Sequence, residues 1–362
     1  MKKILIIDSN VSYLLNNINK TTGGAAVQTF NWIYGFDNLG YSVIILSENK
    51  IPVNKSKYKI INDYDFNNKN FIISLLSALV FYYRTFKSLA PDYIYCSIPW
   101  WNRILYILPA KIIGIKFIQR ISNDNLVKKD SLHIFNNRIK NFLFRISLNL
   151  SKNIICQNDY QYDSLINRFP NKNIQKLYNP FKFHNIACSS SKQYVAWVGL
   201  FQKQKNLPEL LKIALSLPKV NFMIAGKEIS NGSLDSLTHS TLIKLKNLNN
   251  VKFVGNLDRK EIFSFLSNSF CLLNTSHEEG FSNTYLEAFS VGVPVVTRKK
   301  TDPDNIITTF DLGISVNTYE LIPQAILDIL SNNVNYKKRM TDYLACYHDP
   351  LKLSKQLVNQ AI

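Results

Sequence analysis

Short apolar runs alternate with amphipathic stretches along the whole chain. The first four segments follow the order strand, turn, helix, strand: 4–7, 21–24, 27–39 and 42–46. This order is the βαβ unit of a parallel sheet, and Gly40 is suited to end its helix. Three more apolar runs continue the series at 93–96, 116–118 and 153–156. The pattern predicts one doubly wound domain in the first half of the chain.

A proline-containing stretch without periodicity, 179–192, separates this series from a second one. The second series has a predicted helix at 208–217 and strands at 194–198, 220–225, 251–254, 270–274 and 294–296. We therefore predict an α/β protein with two Rossmann-like domains facing a central cleft at the carboxyl ends of their sheets. The predicted parts are an N-terminal domain (1–187), a C-terminal domain (188–348) and a helix (349–362) that packs back toward the first domain.

The segment 276–296, SHEEGFSNTYLEAFSVGVPVV, is the strongest candidate for chemistry. Ser282 suits the N-cap of a helix over 283–291, and Gly292 suits its end. A helix N-terminus favours a diphosphate. Glu279 precedes this terminus and Glu287 lies about a turn and a half inside, so the two carboxylates can accept hydrogen bonds from sugar and ribose hydroxyls. The alternative is that both are solvated acids near a helix start.

This segment resembles the EGF-x-x-x-x-LEA-x-x-x-G-x-PVV signature of glycosyltransferase family 4, also called glycosyl transferases group 1. The family consists of retaining enzymes with the GT-B fold. The matching residues are Glu279, Gly280, Phe281, Leu286, Glu287, Ala288, Gly292 and Pro294. The resemblance extends over nearly the whole chain and is strongest over 194–313.

The resemblance implies that Glu279 contacts the transferred sugar and that Glu287 contacts the nucleotide ribose. The stretch VGLFQKQKNLPELL is similar to the family's phosphate-binding turn, which puts Lys205 on the donor diphosphate. A fixed cation there would stabilise the leaving group, whereas the alternative is an ordinary surface lysine. The other implied donor-binding residues are Gly23, Gly24, Gly199, Gly226, Gly280, Phe281, Ser282 and Asn283.

Two positions depart from the family pattern. The arginine that commonly follows Val-Gly in the phosphate turn is Leu200 here, with Lys203 nearby as a substitute. Many members carry a histidine at the end of an N-domain strand. The corresponding stretch here, FIQRISNDN, has no histidine, and Asn123 or Asp124 lies near that position. We predict a catalytic role for Glu279 and Lys205, with Asn123 and Asp124 as the weakest candidates.

Two further motifs carry less information. The turn TTGGAAVQTF resembles the family's Gly-rich loop, although a plain tight turn at Gly23 and Gly24 is an equal alternative. Asp-x-Asp spacings at 63/65 and 302/304 supply fewer oxygens than a hard cation normally gathers. We therefore expect no metal and no cofactor, with the nucleotide-diphosphate sugar as co-substrate.

The charge of +18 is concentrated in the first half of the chain. Residues 1–187 carry 24 Lys and Arg against 10 Asp and Glu, which gives +14, and the remainder carries +4. Basic and apolar residues interleave over 138–152, a pattern suited to an anionic membrane face or, alternatively, to a solvated helix with a core face. The apolar stretch 71–83 is shorter than a membrane span, so we expect it to be a buried or interface-lying helix.

The resemblance implies a retaining hexosyltransferase, and the basic pattern of 138–152 adds a saccharide or lipid-linked saccharide acceptor in the biosynthesis of surface polysaccharide, such as lipopolysaccharide, capsule or exopolysaccharide. Five scattered cysteines and a short N-terminal apolar run favour a cytoplasmic protein. The basic pattern of 138–152 adds peripheral contact with the inner face of the membrane. A catalytically impaired GT-B binding protein and a sugar-nucleotide epimerase or phosphorylase are the alternatives. We expect no nucleic acid partner, because no recognition motif accompanies the charge.

Overall fold

The computed structural model describes residues 1–16, 24–47, 57–66, 70–97, 101–128, 137–183, 192–228, 235–332 and 334–360. Contacts divide the chain into two compact units. The first unit contains Met1–Lys182 and His348–Ile362, and the second contains Phe183–Tyr347. The predicted boundary between residues 187 and 188 lies outside the described residues.

The first unit contains a parallel sheet with the strand order β3-β2-β1-β4-β5-β6-β7 among its described residues. Its strands are β1 (Lys3–Ile7), β2 (Ser42–Ser47), β3 (Lys59–Asn62), β4 (Tyr93–Cys96), β5 (Lys116–Arg120), β6 (Asn153–Cys156) and β7 (Asn173–Lys176). The direction of winding reverses between β1 and β4, which is the switch point at which such sheets place their ligands.

Helices cover both faces of this sheet. They are α1 (Val11–Leu15), α2 (Gly24–Asn38), α3 (Phe71–Leu89), α4 (Arg103–Ile113), α5 (Arg138–Leu150) and α6 (Asp159–Ile166). Alternate residues of β1 enter different cores, because successive side chains of a strand point to opposite faces. Ile4 and Ile6 pack with Trp32 of α2, whereas Leu5 packs with Phe86 of α3.

The second unit contains a parallel sheet with the order β10-β9-β8-β11-β12-β13 in the part that the structure describes. The strands are β8 (Tyr194–Val198), β9 (Phe222–Ala225), β10 (Val251–Gly255), β11 (Ser269–Leu273), β12 (Val295–Arg298) and β13 (Gly313–Val316). The helices are α7 (Leu207–Ser216), α8 (Ser236–Lys246), α9 (Arg259–Ser267), α10 (Asn283–Ser290), α11 (Ile306–Thr309), α12 (Ile322–Ser331) and α13 (Lys337–Tyr347). Winding reverses between β8 and β11, so the switch point of this sheet lies there.

The last helix, α14 (Pro350–Gln360), belongs to the first unit and packs on α2. Leu353 and Leu357 enter the same core as Trp32. The two helices approach closely at Gly35, where an added Cβ would lie 2.4 Å from the carbonyl oxygen of Pro350. Just before α14, the buried His348 donates a hydrogen bond from Nδ1 to the carbonyl oxygen of Asn179 at 2.7 Å.

Candidate functional site

The segments that follow β8 and β11 meet at the switch point of the second sheet. The indole Nε1 of Trp197 donates to the hydroxyl of Thr275 at 3.0 Å, and that hydroxyl donates to the carbonyl oxygen of Lys205 at 2.8 Å. Farther along the same loops, the N–H of His277 donates to the carbonyl oxygen of Gln204 at 2.9 Å. These bonds hold the predicted phosphate turn against the loop that contains the EGF motif.

The backbone of the phosphate turn positions the side chain of Lys205. A short 3-10 turn, Lys203–Lys205, is followed by Asn206 in the left-handed conformation (φ +53°), which asparagine tolerates better than most residues. Pro208 follows as the second residue of α7, which begins at Leu207. A Cβ at Gly199 would lie 3.4 Å from Cδ of Lys205, so the lysine side chain runs directly over this glycine.

Glu279 is the counter-ion of Lys205. The Nζ of Lys205 lies 2.5 Å from Oε1 of Glu279, and the two side chains are 18% and 10% exposed. The hydroxyl of Ser276 donates to the same carboxylate oxygen at 2.7 Å, and Nδ2 of Asn274 lies 3.4 Å from it. A solvated surface acid and a free surface lysine, the two alternatives left open by the sequence, do not fit this part-buried ion pair.

Gly226 lies at the end of β9, next to the phosphate turn. An added Cβ at this position would lie 2.0 Å from the carbonyl oxygen of Gly199, closer than any side chain tolerates. Gly226 therefore allows the end of β9 to approach Gly199, and through it the turn that carries Lys205.

The helix that follows the EGF motif is α10. It begins at Asn283 as predicted and ends at Ser290, one residue early, with Gly292 shortly after it at φ +69°. Ser282 occupies the N-cap position, but its hydroxyl pairs with the Thr284 hydroxyl at 2.8 Å instead of capping the helix. The Ser282 side chain therefore does not accept a hydrogen bond from the N–H groups of the first turn.

Gly280 and Phe281 complete the loop before α10, and Phe281 is buried.

Glu287 lies on the buried side of α10 and is only 8% exposed. Burial raises the pKa of this carboxyl to about 7, and Arg259 at the start of α9 acts in the opposite direction. Burial in turn lowers the pKa of Arg259, and Glu287 raises it. An acid with such a pKa is unusual at a solvated helix surface, and strongly perturbed groups often mark functional sites.

Several cations surround the loop that contains His277. Burial lowers the pKa of His277, and Arg298, Lys300 and Lys203 lower it further. Arg298 also shapes the loop, because its guanidinium lies 3.9 Å from the ring centroid of Tyr319 and donates to the carbonyl oxygens of Ser276 and His277 at 3.3 Å each. Lys300 is paired with Glu278 at 3.5 Å, so Arg298 and Lys203 are the cations that would meet an anionic ligand here.

The sequence interpretation missed Arg298, Arg259 and Tyr319. Arg298 ends β12, the strand next to β11, and residues at the carboxyl ends of neighbouring parallel strands gather at one edge of the sheet. That position could have identified it. Arg259 begins a helix and has no comparable signal in the sequence.

The remaining candidates belong to the first unit. Gly23 lies outside the described residues, and Gly24 begins α2. Oδ1 of Asn123 accepts a hydrogen bond from the N–H of Asn125 at 2.9 Å, in the cap of a short 3-10 turn. Asp124 accepts from Nδ2 of Asn158 at 3.0 Å and from Nε2 of Gln161 at 2.7 Å. These bonds fix the loop after β5, and a catalytic role for Asn123 or Asp124 stays a prediction.

Asp8 is a buried acid that the sequence interpretation overlooked. It lies at the switch point of the first sheet, directly after β1. Oδ2 accepts from the hydroxyls of Thr29 at 2.6 Å and Ser97 at 2.8 Å, and Oδ1 accepts from two backbone N–H groups at the start of α1. Asp8 therefore ties β1, β4 and α2 together.

The two Asp-x-Asp spacings also have structural partners. Asp63 accepts hydrogen bonds from the hydroxyls of Tyr82 at 2.6 Å and Tyr106 at 3.0 Å. Asp302 accepts from the N–H of Ile307 at 2.9 Å at the beginning of α11. Asp63 and Asp302, the first acids of the two spacings, therefore stabilise the local fold.

Comparisons with known proteins agree with this arrangement. Residues 180–344 match the family model of glycosyl transferases group 1, which confirms the resemblance inferred from the signature. An uncharacterised glycosyltransferase of Methanocaldococcus jannaschii is 30% identical over 171 residues, which are 46% of this chain and 38% of that protein. The match thus spans well under half of the archaeal protein.

Solved structures extend the likeness to the whole fold. The chain resembles HepE of Anabaena, solved in complex with UDP and glucose, with a TM-score of 0.74, 13% identity and 99% of each chain covered. It also resembles WaaB, described as a lipopolysaccharide outer core galactosyltransferase, with a TM-score of 0.69, 16% identity and coverage of 100% and 99%. The fold class is therefore α/β of the GT-B kind, as predicted.

Proposed function

We propose that this chain is a retaining glycosyltransferase that moves a hexose from a nucleotide-diphosphate sugar to a saccharide or lipid-linked saccharide acceptor. The observation that carries the proposal is the part-buried Lys205–Glu279 pair at the switch point of the second sheet, inside the segment that matches the family model. The complex of HepE with UDP and glucose and the description of WaaB as a lipopolysaccharide galactosyltransferase support the donor class and a role in surface polysaccharide biosynthesis.

The proposed chemistry follows from the charges at the site. The bond between sugar C1 and the diphosphate oxygen breaks toward an oxocarbenium-like state, and Lys205 stabilises the negative charge that develops on the leaving diphosphate. The acceptor hydroxyl forms its bond to C1 on the same face, and its proton passes to the leaving phosphate oxygen. Glu279 holds sugar hydroxyls, and Glu287 holds the ribose. Lys205 supplies the charge that a divalent cation supplies in other transferases, so the proposal includes no metal. It includes no covalent intermediate, because the positioned acceptor hydroxyl bonds to C1 directly.

The acceptor is proposed from the character of the first half of the chain. Its net charge of +14 favours a phosphate-containing acceptor or an anionic lipid surface. A lipid-linked saccharide presents both, because its diphosphate lies at the membrane face. We therefore assign the chain to the cytoplasm, in peripheral contact with the inner leaflet.

A screen of nucleotide sugars by thermal stabilisation tests the proposal. A donor present at 100 times its Kd should stabilise the folded chain by about 2.7 kcal/mol. The Glu287→Ala variant should lose the shift that the best donor produces, whereas Asp342→Ala, which removes an exposed acid of α13, should keep it. No stabilisation by any nucleotide sugar would favour an impaired binding protein, and an unchanged shift in Glu287→Ala would remove Glu287 from the site.

A further inference from the structure

The third helix of the first unit, α3, exposes an apolar face that the described residues leave uncovered. Five side chains in its first half are between 49% and 68% exposed: Phe71, Ile72, Ile73, Leu76 and Val80. The opposite side of α3, with Ala78, Tyr82 and Phe86, is fully buried against the sheet. The interior of the unit thus accounts for only one side of this helix.

The exposed residues form one continuous stripe. Ile73, Leu76 and Val80 follow the three- and four-residue spacing of a helix face, and Arg84 and Lys87 continue the same spacing toward the end of α3. A shallow surface depression, open to solvent, lies along this side, and its described lining consists of Leu76, Ser77, Val80, Phe81, Arg84 and Thr85. The stripe is therefore apolar in its first half and cationic in its second half.

The helix α5 adds a second exposed face of the same character. Ile139 and Phe142 are 60% and 62% exposed, between the exposed Arg138 and Arg145. Trp101 connects the two helices, because its ring lies 5.9 Å from the ring of Phe71 and 5.6 Å from Nζ of Lys140. The beginnings of α3 and α5 are therefore neighbours on the first unit.

The charge on these helices has one sign. The described helices α3, α4 and α5 contain no aspartate or glutamate, whereas Arg84, Lys87, Lys111, Arg138 and Arg145 are exposed on them. Exposed apolar side chains bordered by cations, on helices that themselves contain no acid, match a bilayer surface of anionic lipid, where apolar groups enter the acyl boundary and cations meet the headgroups.

By length and composition alone, α3 is long and apolar enough to cross a membrane. A spanning orientation does not fit its position, because one side is packed into the core of the first unit. Its 19 residues correspond to a length of about 28 Å, which can lie along a membrane surface.

We propose that the exposed faces of α3 and α5 form a membrane-docking surface that inserts Leu76, Val80 and their apolar neighbours into an anionic bilayer. The inference rests on the proposed function in one respect, since a lipid-linked acceptor would be reached from this surface. It identifies α3, rather than the basic pattern of 138–152 alone, as the inserting element.

Co-sedimentation of the full chain with vesicles tests this surface. The probes are vesicles of phosphatidylcholine with about one third phosphatidylglycerol, and vesicles of phosphatidylcholine alone, at physiological salt. The wild-type chain should bind the anionic vesicles and bind the neutral ones at least about tenfold more weakly, since several surface cations each contribute about 1 kcal/mol. Absence of binding to anionic vesicles, or equal binding to both, would overturn the proposal.

Paired substitutions locate the surface. Leu76→Glu with Val80→Glu should weaken vesicle binding at least about tenfold, because two carboxylates replace two inserted side chains. The matched control is Leu237→Glu with Ile243→Glu on α8 of the second unit, where the native residues are similarly exposed (61% and 52%, against 59% and 50%). The control should bind like the wild type. Equal loss in both variants, or no loss in the α3 variant, would contradict the assignment.

Two additional measurements distinguish membrane docking from self-association and from donor binding. If the stripe instead joins two copies of this chain, sedimentation velocity will show a wild-type dimer that the α3 variant dissociates, and vesicles will not bind. Thermal stabilisation by the best nucleotide sugar should be unchanged in the α3 variant. If the wild type binds anionic vesicles but no nucleotide sugar, the proposed function is rejected and the docking surface is retained.

Discussion

Glu287 combines a buried position with a site that is proposed to need a charged carboxylate. The low-dielectric surroundings favour its neutral form, and Arg259 favours the ionised form. With a pKa of about 7, the residue changes charge in the physiological range. A ribose hydroxyl that donates to the carboxylate would stabilise the ionised form, so ligand binding and ionisation are coupled.

The raised pKa of Glu287 also predicts how stability depends on pH. The folded chain binds this proton more strongly than the unfolded chain, whose carboxyl titrates near 4.5. The stabilisation is complete below pH 4.5, declines as pH rises toward about 7, and is absent above it. From pH 5 to 8 the wild type should therefore lose roughly 2–3 kcal/mol of unfolding free energy relative to Glu287→Gln, which cannot titrate. Urea unfolding of both proteins measures this difference, and parallel pH profiles would show that burial does not perturb Glu287.

At the scale of elements, the contact between α2 and α14 is tightest at Gly35. Replacing Gly35 with alanine should gain about 1 kcal/mol of helix propensity but cost more through overpacking, because the new Cβ would lie 2.4 Å from the carbonyl oxygen of Pro350. We expect a net destabilisation of about 1–3 kcal/mol, measured by denaturant unfolding. Asn38→Ala on the exposed end of α2 is the control and should change stability little. A more stable Gly35→Ala protein would mean that α14 packs less closely.

The sequence predicted elements best where burial is uniform. The strands at 93–96, 153–156 and 194–198 have their predicted bounds, because strands covered on both faces appear as continuous apolar runs. The nearly all-apolar sequence of α3 could not reveal which side would be exposed. The hydrogen bonds of Asp8 were equally invisible, since its partners Thr29 and Ser97 lie far away in sequence.

The candidate site shows the same limit. The signature text supplied Glu279, Lys205 and Glu287, but their pairing depends on loops that follow different strands. Nothing local to residue 205 indicates that its Nζ lies 2.5 Å from a carboxylate 74 positions later. Arg259, which faces Glu287, is a further example of a partner that only the fold supplies.

At the scale of the whole molecule, the two units carry different features. The second unit contains the Lys205–Glu279 ion pair, Glu287 with its raised pKa, and the match to glycosyl transferases group 1. The first unit contains the exposed faces of α3 and α5 and the last helix, α14. The proposed function assigns the nucleotide sugar to the second unit and the acceptor and the membrane to the first.

The proposed function requires that Lys205 and its surroundings bind the diphosphate of a nucleotide sugar. Calorimetric titration of the full chain with UDP, and with the other common nucleoside diphosphates, tests this requirement, with Lys205→Met as the variant and the exposed Lys219→Met as the control. We predict one site for at least one nucleoside diphosphate, with affinity reduced at least about tenfold in Lys205→Met, because a charge-assisted contact contributes about 1.5–3 kcal/mol. The control should bind like the wild type. Equal affinity in both variants, or no binding of any nucleoside diphosphate by the wild type, would contradict the proposal.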